Sequence, residues 1–250
     1  MPDFYDGGRA GHGPWVALLH GAGSNHTVWR YQARFLAHRG YAVAAFDLPG
    51  HGANPASPLG SVEELAAWVA ARLPGPTTVI GHSLGGLIAL ALAAGHPDKV
   101  ARLGLLSCGA RMPVHPELQA RADEGDPAAV AMIVGWSYDL SGRIGGHPDP
   151  GINATRLTSR VVASELQRLG NDLRAAGSYQ NGETAAREVK APTLVMVGAA
   201  DHMVAPAAVR DLAEMISNSR LAEIESAGHF LPTEAPDQVR SALSLFLGGS

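Results

Sequence analysis

Short apolar runs recur along the chain, and each is closed by Gly, Pro or polar residues. They are Trp15–Leu19, Tyr41–Phe46, Thr77–Ile80, Val100–Leu106, Thr193–Val197 and Leu221–Ile224. Runs of this length, rich in Val, Ile and Leu, read as buried β-strands. Between them the apolar period lengthens to that of a helix. Trp29, Phe35 and Leu36 mark a helix over about 28–39, closed by Gly40. Ser61, with Glu64 three residues on, forms a capping box ahead of Leu65, Trp68, Val69 and Leu73. Leu87 to Ala94 is apolar throughout and stops near Gly95 and Pro97. Pro206 opens a helix carrying Val209, Leu212 and Ile216, and Asp237–Leu247 forms the last one. Strands alternating with helices predict an α/β fold: a mostly parallel twisted sheet with helices on both faces.

The alternation lapses once. From about Gly109 to Val189 no strand pattern is visible, and Pro113, Pro116, Pro127, Pro148 and Pro150 break the segment into helical pieces. Asp126-Pro127 predicts an N-cap with proline in the first turn, ahead of Val130, Ile133 and Val134. A further helix is expected from about Thr155 to Leu169. The expected organisation is a core of residues 1–108 and 190–250, with a helical insert over 109–189.

Composition narrows the function classes. The 250 residues are 46% hydrophobic and 17% charged, with a formal net charge of -4. That balance suits a globular α/β domain and points away from nucleic acid or an anionic membrane surface. Every apolar stretch is interrupted before it reaches spanning length, so no membrane insertion is expected. The start, Met1-Pro2-Asp3-Phe4-Tyr5-Asp6, is acidic and has no signal-peptide core, so a cytoplasmic protein is the expectation. The single cysteine, Cys108, rules out an internal disulfide and a cysteine-based metal cluster, and it is expected to be a buried small hydrophobe. No metal or cofactor is expected.

The chemistry centres on Gly81-His82-Ser83-Leu84-Gly85, which joins the Thr77–Ile80 strand to the apolar helix. A serine on such a turn is held in a strained conformation with its hydroxyl clear of the sheet, and side chains at Gly81 and Gly85 would collide there. The N–H of Leu84 opens the helix and faces the space above Ser83, where it suits a developing oxyanion. In a parallel sheet, ligands bind at the carboxyl ends of the strands. His20, Asp47, Ser83, Asp201 and His229 all fall there. A serine hydroxyl needs a base, and the base needs an acid to fix its tautomer. Ser83, Asp201 and His229 supply nucleophile, acid and base in that order.

Several motifs together resemble the α/β-hydrolase superfamily over nearly the whole chain, in its serine esterase and lipase-like branch. They are His20-Gly21-Ala22-Gly23, Asp47-x-Pro49-Gly50-His51-Gly52, Gly81-His82-Ser83-Leu84-Gly85-Gly86, Gly198-x-x-Asp201 and Gly228-His229. The resemblance implies that the insert is a cap over the site and that the oxyanion hole uses the N–H groups of Ala22 and Leu84. It implies that His20 braces the oxyanion loop and that Asp47 and His51 organise loops. The family's other position for the acid falls at Ser107-Cys108-Gly109, which carries no carboxylate. Little chain precedes Trp15, so the antiparallel edge of the family's sheet looks shortened or lost.

His82 is expected to pack against the loops, and His26 and His96 to face solvent. Met132, Trp136 and Tyr138 either line a substrate pocket or form the insert's own core, and Phe230 is a further pocket candidate. The expected reaction is hydrolysis of a small or medium-size carboxylic ester by a monomer or homodimer. Thioester, lactone or carbon–carbon bond hydrolysis is the alternative, and a hydrolase-like ligand receptor is a third reading. Ser83 stands where epoxide hydrolases and haloalkane dehalogenases use Asp. Phe230 stands where carbon–carbon hydrolases often carry Trp.

Overall fold

Period-two alternation sends successive strand residues into two different apolar layers. In the computed structural model, which describes residues 4–6, 11–138 and 153–248, the apolar runs pair into one sheet. Its strands are β1 (Phe4–Tyr5), β2 (Trp15–Leu19), β3 (Ala42–Phe46), β4 (Thr77–His82), β5 (Val100–Leu106), β6 (Thr193–Gly198) and β7 (Ser219–Ile224). Their order across the sheet is β1-β3-β2-β4-β5-β6-β7. β1 pairs antiparallel with β3, Phe4 opposite Phe46, while the neighbours from β3 to β7 pair parallel. Among the described residues, the antiparallel edge is the two-residue strand β1.

Ala17, Leu19, Val79, Val195 and Val197 face one layer, with α2 (Val62–Ala70), α3 (Leu84–Gly95) and α9 (Pro206–Met215). Val16, Leu18, Ile80, Leu194 and Met196 face the other, with α1 (Arg30–His38) and α11 (Pro236–Leu247). A short 3-10 turn, His26–Trp29, leads into α1, and the four-residue α10 (Leu231–Glu234) precedes α11. Ser61 caps α2 as expected: its Oγ accepts from the Glu64 N–H at 3.2 Å, and Gly60 N–H donates to the Glu64 carboxylate at 3.1 Å.

Between β5 and β6 lie α4 (Pro116–Asp123), α5 (Ala128–Ser137), α6 (Ala154–Ser164), α7 (Leu166–Ser178) and α8 (Gly182–Glu188). Pro116 opens α4 rather than breaking a helix, since a first-turn proline loses no intrahelical bond. The helix expected over 155–169 is two helices. Glu165 leaves helical geometry at φ -106°, ψ 9° while its carboxylate reaches Asn25 and Gly52. α4 to α7 share an apolar cluster of their own, around Leu118, Ile133, Tyr138, Val162 and Leu169. α8 differs: Ala185 and Ala186 join the sheet-side layer that holds α3. Pro148, Pro150 and the acidic start at residues 1–3 lie outside the described residues.

Candidate active site

β4 ends directly under Ser83, and α3 starts directly after it. Ser83 takes φ 55°, ψ -119°, a region that costs a non-glycine residue roughly 1–3 kcal/mol. Close packing enforces the turn. A Cβ on Gly81 would overlap the Gly85 carbonyl, and one on Gly85 would overlap the carbonyls of Leu19 and His20 at the end of β2. The second clash is with the neighbouring strand rather than across the turn, so Gly85 lets α3 sit against β2. The first N–H groups of α3 have no acceptor within the helix and point their partial positive charge at Ser83.

Asp201 follows β6 and His229 follows β7; both are 3% exposed. His229 Nδ1 lies 2.8 Å from Asp201 Oδ2. Asp201 Oδ1 accepts from the N–H groups of Met203 at 2.8 Å and Val204 at 2.9 Å. Burial alone would raise the Asp201 pKa. The His229 ring and the two backbone donors outweigh burial and hold it below the usual carboxylate range. An imidazole fixed this way through Nδ1 presents Nε2 as a base. The His229 backbone is held as well: its N–H donates to Ser137 O at the end of α5 (2.7 Å), and its carbonyl accepts from His82 Nε2 (2.8 Å).

The loop after β2 is braced from two sides. Leu48 N–H donates to His20 Nε2 at 3.1 Å, which leaves the proton on Nδ1 for Gly21 O at 2.9 Å. Burial and neighbouring His51 lower the His20 pKa to about 4, so the ring stays neutral. On the other side, Gly23 N–H donates to Asp172 Oδ2 on α7 at 2.8 Å. The same oxygen accepts from His51 Nε2 at 2.9 Å, and His51 Nδ1 donates to Pro49 O at 3.1 Å. Burial works against a charged His51, but the Asp172 carboxylate more than compensates and raises its pKa. Asp47 organises its loop by accepting from the N–H groups of His26 and Ala53. His26 turns its ring onto Asp47 at 2.9 Å rather than to solvent, because the carboxylate needs donors when buried.

Above Ser83 and His229 lies a cavity of about 470 Å³, within the usual range for small-molecule sites. Ala22 and Leu84 lie at its base with Ser83. Leu118, Trp136 and Leu173 bring the insert into its wall, and Met203 and Val204 extend it from the loop carrying Asp201. A smaller recess of about 40 Å³ adjoins it, lined by Gly21, His82, Ser83, His229 and Phe230 among others. Trp136 and Phe230 thus face cavities. Met132 and Tyr138 line neither of these two cavities and pack in the insert's apolar cluster, where Trp136 and Phe230 also make contact. Tyr138 is fully buried, its hydroxyl 2.5 Å from Thr158 Oγ1 and its ring stacked on Phe230, so it serves as core. Sequence reasoning missed Glu165 and Asp172: an acid on a surface-like helix gives no sign that it pairs with loops more than a hundred residues away. Met203 was within reach, two residues beyond Asp201. Among the described residues, no group of three or more His, Cys, Asp or Glu is placed to hold a metal ion. No described helix is long and apolar enough to cross a membrane.

Comparison with known proteins agrees with this architecture. The sequence profile of the alpha/beta hydrolase family matches residues 16–242. A pimeloyl-[acyl-carrier protein] methyl ester esterase of Chromobacterium violaceum is 35% identical over 228 residues, 88% of each chain. Among solved structures, a thermophilic esterase from Thermogutta terrifontis has a TM-score of 0.84 at 25% identity, covering 96% of this chain and 91% of its own. The enol-lactonase from Burkholderia xenovorans has a TM-score of 0.83 at 25% identity, covering 98% and 94%. The chain belongs to the α/β-hydrolase family, within its esterase-like branch.

Proposed function

We propose that this hydrolase cleaves carboxylic esters through an acyl-enzyme on Ser83. His229 takes the Ser83 proton as Oγ attacks the carbonyl carbon, then gives it to the leaving alcohol. Asp201 holds His229 in the tautomer that makes this possible. The N–H groups of Ala22 and Leu84 receive the oxyanion, each contributing roughly 3 kcal/mol to the transition state. Water then resolves the ester bond to Ser83. One observation carries the reading: a strained serine and a carboxylate-bound imidazole line the same apolar cavity.

The helices α4 to α7 act as the cap in this reading, and their apolar side chains take the acyl group. The likeness to an acyl-carrier-protein methyl ester esterase makes methyl esters of medium-length acyl chains the first substrates to try. Lactones are the second reading, favoured by the likeness to an enol-lactonase. Ser83→Ala tests the shared mechanism: turnover falls roughly 10⁴-fold or more while the fold persists. A labelled fluorophosphonate modifies the parent at Ser83 and leaves the variant unmodified. Full esterase activity in folded Ser83→Ala would overturn the proposal. A panel of linear methyl esters set against lactones decides between the two substrate readings.

A further inference from the structure

His82 is 1% exposed, and its two ring nitrogens have different fates. Nε2 donates to the His229 carbonyl at 2.8 Å, which fixes the ring orientation. Nδ1 is buried and has no hydrogen-bond partner among the described residues. With the proton on Nε2, Nδ1 is an acceptor in need of a donor. Burial and the neighbouring His229 lower the His82 pKa to about 3, so the ring keeps that acceptor at every working pH. Nδ1 lies beside Gly21, 3.1 Å from the point where a Cβ would stand. Gly21, His82, Ser83 and His229 all line the 40 Å³ recess beside the main cavity. Such a volume holds one water, which needs two or more polar partners to be ordered. The His82 and His229 rings are 4.9 Å apart between centroids, and both residues border the recess.

We propose that the recess holds the water that hydrolyses the acyl-enzyme and that His82 Nδ1 orients it by accepting one of its protons in a hydrogen bond. The inference rests on the Ser83 acyl-enzyme proposed above. The water oxygen attacks the acyl carbon while its other proton passes to His229 Nε2. The bond from that carbon to Ser83 Oγ then breaks, and Oγ takes the proton back from His229. The hydrogen oriented by His82 stays with the carboxylic acid product, so His82 itself gains and loses nothing. Its role is positioning, confined to deacylation, because acylation uses no water.

Two substitutions separate the nitrogens. In His82→Gln the amide nitrogen stands near Nε2 and keeps a donor for the His229 carbonyl, while the acceptor at Nδ1 is lost. In His82→Asn the side-chain oxygen stands near Nδ1 and keeps the acceptor. With p-nitrophenyl acetate and rapid quench, the p-nitrophenolate burst reports acylation, and intact mass follows the decay of acetylated protein. For His82→Gln, deacylation slows about tenfold or more and kcat falls with it, while kcat/KM stays within about threefold of the parent. His82→Asn decays closer to the parent. Decay at the parental rate in His82→Gln, or burst and decay slowed by the same factor, overturns the inference. A parent that never acylates at Ser83 removes the function proposed above, and this inference with it. Should both variants fail to fold, a high-resolution crystal structure of the parent decides. A water within hydrogen-bond distance of His82 Nδ1 is expected, and its absence overturns the assignment.

Discussion

On the sheet, helices are held by apolar side chains alternating into two layers. At the insert, apolar contacts such as Tyr138 on Phe230 are joined by charged and polar side chains that reach the core loops. Glu165 takes Asn25 Nδ2 and Gly52 N–H, Arg168 Nε donates to Gly50 O, Asn171 to Leu59 O, and Asp172 takes Gly23 N–H and His51. Apolar layers tolerate exchange of one aliphatic side chain for another of similar volume. Buried polar bonds are directional, so losing one partner strands the other. The contrast teaches where position is controlled. The sheet places Ser83, while the insert adjusts the loop carrying Ala22 and, through Ser137 O, the backbone of His229.

The largest effect is expected on the sheet side. Asp201→Asn leaves the layers intact but cannot hold the same His229 tautomer, so kcat falls by about 10⁴ with little change in Tm. An unchanged rate would point to another acid and break the assignment of chemistry to the strand-end loops. Next comes the seam. Asp172→Ala leaves the His51 Nε2–H and the Gly23 N–H buried without their acceptor, a loss of about 1–3 kcal/mol for each stranded donor. Urea unfolding measures it, and kcat/KM should fall too, because Gly23 adjoins the proposed oxyanion donor. A loss below about 0.5 kcal/mol would show that the insert docks through its apolar cluster instead.

Within the insert, Trp136→Ala should re-rank kcat/KM across a series of ester chain lengths, by roughly 0.8 kcal/mol for each substrate methylene that the wall no longer covers. Met132→Ala should lower Tm and leave the ranking alone. If the two behave alike, the division between cavity wall and insert core fails. The smallest effect is on pH dependence. Folding raises the His51 pKa above its unfolded value near 6.5. Its stabilising contribution is therefore complete below that pH and is lost as pH climbs through the higher folded value. The Tm difference between the parent and His51→Gln should be largest near about pH 6 and shrink toward about pH 9. A constant difference would mean that His51 docks by shape and not by charge.

Much of this protein was open to sequence reading because the signals were local. Gly81-x-Ser83-x-Gly85 needs only a strand before it and a helix after it to define a strained serine, and Ser61 with Glu64 defines a cap within four residues. Asp201 and His229 were legible as strand-end residues because a parallel sheet brings all its carboxyl ends to one side. Three things depended on packing between distant parts of the chain. The helix broke at Glu165 because its carboxylate is drawn to loops 113 and 140 residues away, which no local pattern records. Tyr138 and Trp136, two residues apart on the same insert, separated into core and cavity wall only once α6 and Phe230 packed against Tyr138. The spare acceptor on His82 exists only because folding gives its other nitrogen to the His229 carbonyl and closes the loops around it. Local backbone preference is written in neighbouring residues; the environment of a buried polar atom is set by whatever the rest of the chain brings to it.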